Sequence, residues 1–181
     1  MESPFMTTIA IGLAKRGIRV ARFEFPYMRA SRIEGKRRLP NSAALLMKHW
    51  QEVIVSLKAE KKLIIGGKSL GGRIASLVAD EARVAGLVCL GYPFHPPGRP
   101  DKLRTEHLKT LVTPTLILQG DRDAFGDQSE IGNYNLSNSI RVDWLTDGDH
   151  SFKPRKKSGC TESENLTKAV HLISEFVGQL G

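Results

Sequence analysis

The sequence predicts an α/β fold in which a mostly parallel sheet carries helices on both faces. Short apolar runs alternate with segments of helical periodicity along the 181 residues, which is typical of strand–helix–strand units. Residues 84–90 are almost continuously apolar, as expected of a strand covered on both faces. Polar loops rich in glycine and aspartate follow the later strands, and parallel sheets bind their ligands at that edge.

The chain opens with a predicted helix and a predicted strand. Apolar residues recur at helical spacing over residues 6–16, and Gly17 stands where a left-handed C-cap belongs. Residues 18–25 then alternate between apolar and charged side chains. This alternation predicts a strand, and Pro26 ends it because proline cannot donate to a ladder.

A basic loop and a second helix follow. Residues 27–40 lack periodicity and predict a loop, after which Asn41 or Ser42 caps a helix over residues 41–59. The spacing of its apolar residues predicts one buried stripe. That stripe consists of Leu45, Leu46, His49, Val53, Ile54 and Leu57.

The stretch 63–75 combines a strand end, a sharp turn and a helix start. Residues 63–65 are apolar and β-preferring, and helical spacing begins directly after Ser69 and continues over residues 70–81. So tight a turn strains the backbone at Ser69, and Gly67 and Gly71 give the room it needs. This is the Gly-x-Ser-x-Gly pattern of a nucleophile elbow, in which the amide of the next residue, Leu70, faces a developing oxyanion.

A phosphate-binding loop is the competing interpretation of the same segment of sequence. Gly67-Lys68-Ser69 resembles the end of Gly-x-x-x-x-Gly-Lys-Ser, but Lys62 occupies the position of the first glycine. Strand residues also fill what would be the phosphate cradle, so nucleotide binding is not expected.

The second half of the chain repeats the strand–helix alternation and ends three strands in polar loops. We predict strands over 84–90, 115–118 and 140–145, and helices over 103–111 and 162–180. The loops after these strands span 91–98, 119–123 and 146–152. Because the strands are parallel, all three loops lie at the same sheet edge as Ser69.

A serine nucleophile requires a histidine base and a carboxylate that orients it. His150 and Asp123 lie in loops at the expected edge, and the chain order Ser69, Asp123, His150 is the one this type of elbow requires. Asp121 and Asp127 compete for the acid role. Asp123 is preferred because three residues beyond the strand-ending glycine allow its carboxylate to turn inward.

Side chains for substrate contact are sought in the loops at the same edge. Tyr27, Phe94 and His95 are the candidates, although His95 is interpreted equally well as a loop histidine without a role.

The composition limits the function classes. With 40% hydrophobic residues in 20.0 kDa, the chain is expected to form one domain over residues 1–181. No apolar run reaches the length of a membrane span, and two cysteines suggest neither a disulfide framework nor a metal site. These observations predict a cytoplasmic protein without membrane association and leave its oligomeric state open.

The basic residues are unevenly distributed. Lys and Arg number 27 against 19 Asp and Glu, for a net charge of +8. Two interpretations stay open, an ordinary solvated surface and loops that steer an anionic substrate. No aromatic interleaving or nucleic-acid module accompanies the basic residues, so nucleic-acid binding is not expected. The two clusters are Arg29, Arg32, Lys36, Arg37 and Arg38, and Lys153, Arg155, Lys156 and Lys157.

At these motifs the chain resembles the alpha/beta-hydrolase superfamily. It is most similar to the small dienelactone-hydrolase-like branch related to a testis-expressed hydrolase-like protein and to a subunit of the NSL histone acetyltransferase complex. The resemblance implies that Ser69 is the nucleophile, His150 the base and Asp123 its orienting acid, and that no cofactor is needed. The matching stretches are 23–28, 66–73, 91–98, 119–123 and 149–152.

The resemblance also implies a departure at the start of the chain. In the superfamily a strand and a His-Gly loop precede the first helix, and that loop donates one oxyanion amide. Here Met1 stands where that loop would end. The expectation is therefore an N-terminally shortened hydrolase fold, whose absent strand would lie between residues 18–25 and residues 63–65.

Two functions from different classes follow. The favoured one is an esterase- or thioesterase-like serine hydrolase that cleaves a small, in one interpretation anionic, carboxylic ester through an acyl-Ser69 intermediate. The alternative is a weakly active or inactive hydrolase-fold protein that serves as an interaction module, with Phe94, His95 and the basic loops as its partner surface.

Overall fold

A sheet of four parallel strands forms the centre of the structure, a computed structural model that describes residues 3–57 and 62–180. The strands lie side by side in chain order. They are β1 (Ile64–Lys68), β2 (Gly86–Leu90), β3 (Thr115–Gly120) and β4 (Ile140–Leu145). Every residue of the two central strands β2 and β3 is buried, which explains why their sequences are almost wholly apolar.

Helices cover both faces of this sheet, as predicted. Helices α3 and α4 pack together on one face, and α1 and α6 pack together on the other. A 3-10 turn, Glu106–Lys109, follows β2. The helices are α1 (Pro4–Ala14), α2 (Pro26–Glu34), α3 (Ala43–Leu57), α4 (Leu70–Ala82), α5 (Gln128–Ile131) and α6 (Glu162–Gln179).

The core consists of two apolar clusters, one on each face. Successive residues of a strand point to opposite faces, so Leu87 and Cys89 of β2 join the cluster under α3 and α4, while Val88 and Leu90 join the cluster under α1 and α6. The order of strands, the parallel pairing and the helices on both faces are those of the predicted α/β hydrolase fold.

The prediction of a strand over residues 18–25 is wrong. These residues belong to no helix or strand, and within the described ranges β1 pairs only with β2. Phe23 packs edge-on against Trp50 of α3, with ring centroids 4.6 Å apart. The apolar residues of the segment are thus satisfied by a helix, and a strand assignment needs a neighbouring strand that these residues do not have.

The loop predicted over residues 27–40 begins with a helix instead. Pro26, interpreted as the end of a strand, occupies the first turn of α2, where a missing N–H costs nothing. Gly35 ends the helix in the left-handed region at φ 65°. Pro26 and Gly35 are both signals of helix ends in the sequence. The segment between them has no apolar stripe, so its periodicity does not indicate a helix.

The predicted helix over residues 41–59 forms with a different buried stripe. Leu46, Trp50 and Ile54 are its buried residues, whereas Leu45 is 43% exposed. Ser42 accepts a hydrogen bond from the Leu45 amide at the start of α3. The predicted end at residue 59 lies outside the described residues.

The remaining differences concern lengths. The helix predicted over 103–111 shrinks to the 3-10 turn, and the four-residue helix α5 was not predicted. Strand β4 has the predicted bounds, and α6 begins as predicted, at a capping box formed by Thr161 and Glu164. Within the described part of the chain, no helix has both the length and the apolar character needed to cross a membrane.

Candidate active site

Ser69, Asp123 and His150 meet at the carboxyl edge of the sheet, although they are far apart in the chain. Ser69 follows β1, Asp123 lies three residues beyond the end of β3, and His150 lies in the loop after β4. The Ser69 amide donates to the Leu90 carbonyl over 2.9 Å, which fixes the turn to the neighbouring strand.

The turn at Ser69 has the strain that an elbow requires. Its backbone adopts φ 51° and ψ −118°, outside the regions that side-chain-bearing residues prefer. A Cβ added to Gly67 would lie 2.8 Å from the Gly71 carbonyl carbon, so only glycine fits there. Leu70 is the first residue of α4, and its amide has no acceptor within the helix.

The prediction that the turn needs glycine at position 71 is wrong. A Cβ added to Gly71 would meet nothing within 4 Å, whereas one added to Gly72 would lie 2.6 Å from the Gly67 oxygen and 3.3 Å from Cys89. Close approach of α4 to β1 and β2 therefore requires glycine at 67 and 72. The second glycine of the Gly-x-Ser-x-Gly pattern has open space around it.

A line of hydrogen bonds joins the three side chains. The Ser69 Oγ to His150 Nε2 distance is 2.8 Å, and the His150 Nδ1 to Asp123 Oδ2 distance is also 2.8 Å. An ionised carboxylate only accepts, so Nδ1 carries the proton and Nε2 is free to accept from the serine hydroxyl. The Asp123 carboxylate is fully buried and the imidazole is 22% exposed, so the base can reach a substrate while its acid is shielded from water.

Asp123 is held by donors from two further residues. Gln119 Nε2 donates to Oδ2 over 2.9 Å, and the Phe125 amide donates to Oδ1 over 2.9 Å. The fully buried Gln119 side chain also bonds to both backbone groups of Tyr92. Gln119 is not among the predicted site residues, although a glutamine inside a buried apolar strand is itself a signal.

His150 is positioned by close packing. Gly91 has φ 63°, and a Cβ there would lie 2.9 Å from the His150 carbonyl oxygen and 3.3 Å from Nδ1. The Phe125 ring lies 4.2 Å from the imidazole, centroid to centroid. Any side chain at position 91 would displace the base, so this glycine is a functional residue that the elbow pattern alone does not reveal.

The other aspartates near the edge have structural partners. Asp121 accepts from the Asp147 amide over 2.9 Å and thereby ties the loop after β3 to the loop before His150. Asp127 caps α5, and Asp149 accepts from the amides of Ser151 and Lys153. Each of the three carboxylates thus holds backbone amides of a loop or helix.

Asp147 anchors the loop that carries His150. It adopts φ 52° and forms ion pairs with Arg122, at 2.8 Å, and Arg155, at 2.5 Å. The hydrogen bond from Arg155 and the charges of both guanidinium groups hold the pKa of Asp147 well below its usual value. Arg155 belongs to the second basic cluster, so part of that cluster stabilises a loop.

The first basic cluster is also partly neutralised. Arg32 pairs with Glu24 at 2.9 Å and Arg38 pairs with Glu34 at 2.6 Å. Glu24, Arg32 and Arg38 line a shallow, open depression at helix α2 together with Tyr27. This pairing favours the interpretation of the cluster as a solvated surface.

Two of the candidates for substrate contact are buried. Phe94 is completely buried and packs against Tyr92 and Tyr134, and His95 is 3% exposed. A side chain without exposed surface cannot touch a ligand, so these two expectations are corrected. Tyr27 is half-buried at the start of α2.

Lys68, the residue before the elbow serine, has an unusual environment. Its ammonium lies 5.1 Å from the Phe5 ring centroid, and burial lowers the pKa of this lysine. Among the described residues it has no ion pair within 4.0 Å. Burial lowers the pKa of Lys68, although the charges of Asp123 and Asp149 oppose this effect.

A second serine–histidine contact lies deeper along α4. Ser76 Oγ is 2.8 Å from His107 Nε2, but its own proton goes to the Arg73 carbonyl at 2.7 Å. Ser76 is buried within the helix, and in the described part of the chain no carboxylate bonds to His107. This pair lacks both the exposure and the acid that nucleophilic catalysis requires.

The cysteines have no part in this site. Cys89 is buried, its thiol contacts the Gly72 carbonyl, and burial raises its pKa. Cys160 is half-buried near the start of α6, where its thiol contacts Asn165. Within residues 3–57 and 62–180, no group of three His, Cys, Asp or Glu side chains is arranged to hold a metal ion.

Comparisons with known proteins agree with this architecture. Residues 1–178 match the family described as alpha/beta hydrolase domain. An alpha-beta serine hydrolase homologue from Coxiella burnetii is similar at 19% identity and a TM-score of 0.72, covering 100% of this chain and 78% of that one. An a/b serine hydrolase without lid from Xanthomonas campestris is similar at 18% identity and a TM-score of 0.68, covering 99% and 74%.

A third solved structure is similar over the same extent. The esterase domain of a Rhodothermus marinus protein matches at 17% identity and a TM-score of 0.67, covering 98% of this chain and 80% of that one. At such low identity these likenesses bear on the fold alone.

Proposed function

Because this chain belongs to the alpha/beta hydrolase domain family, we propose that it is a serine hydrolase of esterase or thioesterase type acting on a small carboxylic ester. The observation that carries the proposal is the unbroken line from the Ser69 hydroxyl through His150 to the buried Asp123 carboxylate, with both distances at 2.8 Å. Within the superfamily we assign the chain to the dienelactone-hydrolase-like branch.

The proposed mechanism begins with the attack of Ser69 Oγ on the ester carbonyl carbon. His150 Nε2 accepts the hydroxyl proton as the new carbon–oxygen bond forms, and Asp123 stabilises the imidazolium without taking its proton. The carbonyl oxygen becomes an oxyanion, for which the free amide of Leu70 at the start of α4 is a donor. Collapse expels the alcohol or thiol, which receives the proton from Nε2 and leaves an acyl-Ser69 ester.

Deacylation repeats these steps with water. His150 Nε2 takes a proton from the water as its oxygen attacks the acyl carbon, and the proton returns to Ser69 Oγ when the acid product leaves. Each step uses only side chains of this line and a backbone amide, so the proposal includes no cofactor. In this proposal the protein acts in the cytoplasm on a small-molecule ester, and it binds neither nucleic acid nor a membrane.

A fluorophosphonate probe tests the proposal directly. We expect the wild-type protein to be labelled at Ser69, Ser69→Ala to lose labelling, and ester turnover to fall by a factor on the order of 10⁶. Ser76→Ala is the matched control, since it removes the other histidine-bonded serine of α4 and should leave labelling intact. Labelling that persists in Ser69→Ala would refute the assignment.

The alternative function, an interaction module with a residual elbow, has lost part of its support. It relied on Phe94 and His95 as partner surface, and both side chains are buried. A folded wild-type protein that reacts with neither the probe nor a generic ester would favour it over the hydrolase proposal.

A further inference from the structure

Three basic residues, Arg73, Arg104 and His107, lie close to Tyr92 in the loop after β2. The Tyr92 hydroxyl donates to the Arg104 carbonyl over 3.2 Å and lies 3.4 Å from His107 Nε2. The Ser76 hydroxyl donates to the Arg73 carbonyl over 2.7 Å and lies 2.8 Å from the same nitrogen. These bonds fix the backbone of Arg73 and Arg104 and the ring of His107 in one network.

Within the described residues, no carboxylate forms an ion pair with the three basic side chains of this network. Burial and the charge of Arg73 lower the pKa of His107, and burial and Arg73 likewise lower the pKa of Arg104. In the described part of the chain, neither arginine side chain has an ion pair or a hydrogen-bond partner. Nε of Arg73 is buried and unpaired, which is a costly arrangement for a charged donor.

The carboxylates closest along the same elements are engaged elsewhere. Asp80, farther along α4, accepts from Thr113 Oγ1 and from the amides of Val112 and Thr113. Glu106, beside His107, pairs with Lys109 at 2.6 Å. Neither is free to neutralise the cluster.

The position of Arg73 in its helix adds to the positive potential. Arg73 lies at the start of α4, and its amide donates to the Ser69 carbonyl over 3.0 Å. The amino end of a helix carries partial positive charge, so a basic residue there is unfavourable unless an anion is near. No acidic residue occupies the first turn of α4.

We propose that Arg73, which is one helical turn from Ser69, forms with Arg104 and His107 a binding site for an oxyanion, a carboxylate or a phosphate group. Arginine forks match the planar pair of oxygens of a carboxylate and the oxygens of a phosphate. All three side chains are partly exposed, so an anion can reach them from solvent. None of the three residues belongs to either basic cluster of the sequence. Binding of an anion there does not require turnover at Ser69.

Thermal unfolding of the full chain tests this site with defined probes. Sodium phosphate and sodium succinate, each at millimolar concentration, are compared with sodium chloride of equal ionic strength. We expect phosphate, succinate or both to raise Tm of the wild type by about 2–8 °C. Arg73→Gln and Arg104→Gln should each lose at least half of that rise, measured against the variant's own Tm in chloride.

Two controls separate this site from general effects. Arg99→Gln removes an exposed arginine of the same loop and should keep the full rise, and Ser69→Ala should keep it as well. A rise with phosphate alone identifies a phosphate site, and a rise with succinate alone identifies a carboxylate site. No rise with either salt, or an equal rise in Arg73→Gln and Arg104→Gln, overturns the proposal, and if one variant does not fold the other decides.

Discussion

Gln119 shows how much of the candidate site depends on a residue that does no chemistry. Its amide group makes hydrogen bonds to both backbone groups of Tyr92, to the Gly126 carbonyl and to the Asp123 carboxylate. All of these groups are buried, so an unsatisfied one costs about 1–3 kcal/mol. The same side chain therefore stabilises the strand end and fixes the orientation of Asp123.

Replacing this glutamine tests its positioning role. In Gln119→Leu the Asp123 carboxylate loses a donor and can rotate away from His150, so we expect kcat for a generic ester to fall by a factor on the order of 100 with little change in KM. Steady-state kinetics on the folded variant measure this. Gln128→Leu, an exposed glutamine on α5, is the control and should keep wild-type kcat, whereas an unchanged kcat in Gln119→Leu would contradict the role.

Ser69, Asp123 and His150 could be predicted from the sequence. The residues that position their side chains could not. Ser69, Asp123 and His150 each follow a predicted strand, and parallel strands bring their carboxyl ends to one edge. Gln119 and Gly91 act through contacts between different loops, and such contacts depend on where the loops cross rather than on local spacing. The assignment of catalytic roles to the three residues stays a prediction.

At the level of elements, the junction of β1 and α4 depends on one close approach. A Cβ at position 72 would lie within 2.6 Å of a backbone oxygen, whereas one at position 71 would meet open space. The two adjacent glycines therefore have opposite tolerance for a methyl group, although the sequence pattern singles out only the first of them.

This difference gives a paired prediction. Gly72→Ala should lower the free energy of unfolding by about 1–3 kcal/mol because backbone and Cys89 must shift. Gly71→Ala should change it by less than about 1 kcal/mol, with a gain expected because alanine favours the helix. Urea unfolding of the two variants measures both values, and equal destabilisation would show that the junction is less tightly packed than described.

A second element-level contact joins the loop after β2 to helix α5. His95 Nδ1 bonds to the Pro96 carbonyl over 2.8 Å, and Nε2 bonds to the Glu130 carboxylate over 2.9 Å. Both partners accept only, so both ring nitrogens must donate and the imidazole is charged. Burial opposes the charge, but the bonds to Pro96 and Glu130 prevail and raise the pKa of His95 above its usual value.

Stability should accordingly depend on pH through this residue. A raised folded-state pKa stabilises the fold fully below the unfolded pKa of about 6.5, and the contribution is lost as pH rises through the folded-state value. His95→Gln should therefore lower the free energy of unfolding by about 1.5–3 kcal/mol at pH 6 and by less at pH 8.5. Urea unfolding at both values is the measurement, with the exposed His171→Gln as control, and a loss that does not depend on pH would contradict the charged state.

Prediction of elements succeeded where the pattern alone determines the structure. The buried strands β2 and β3 were predicted from apolar runs, and helix α6 was predicted from apolar residues at helical spacing. Residues 18–25 have an equally clear alternation, but a strand also needs a partner strand at hydrogen-bonding distance. Helix α2 was missed because it buries no residue, and periodicity detects only helices with an apolar side.

At the scale of the molecule, the parallel sheet brings the loops of the candidate site together at one edge. The helices on both faces exclude water from the strands that these loops follow. Both faces of β2 and β3 are covered and all their residues are buried, whereas the outer strands β1 and β4 have partly exposed residues. The four strands lie in chain order, and the fold class could be predicted because strands and helices alternate along the sequence. The organisation in one domain and the dienelactone-hydrolase-like branch stay predictions.

The two thiols of this chain differ so much in access that they offer an experimental handle. Cys89 is sealed beneath α4 with a raised pKa, while Cys160 lies near the surface between His150 and helix α6. A maleimide dye should therefore attach at one place without any engineered mutation. Its fluorescence would report on the segment that carries the base, so that rearrangement of this loop during turnover could be followed in real time.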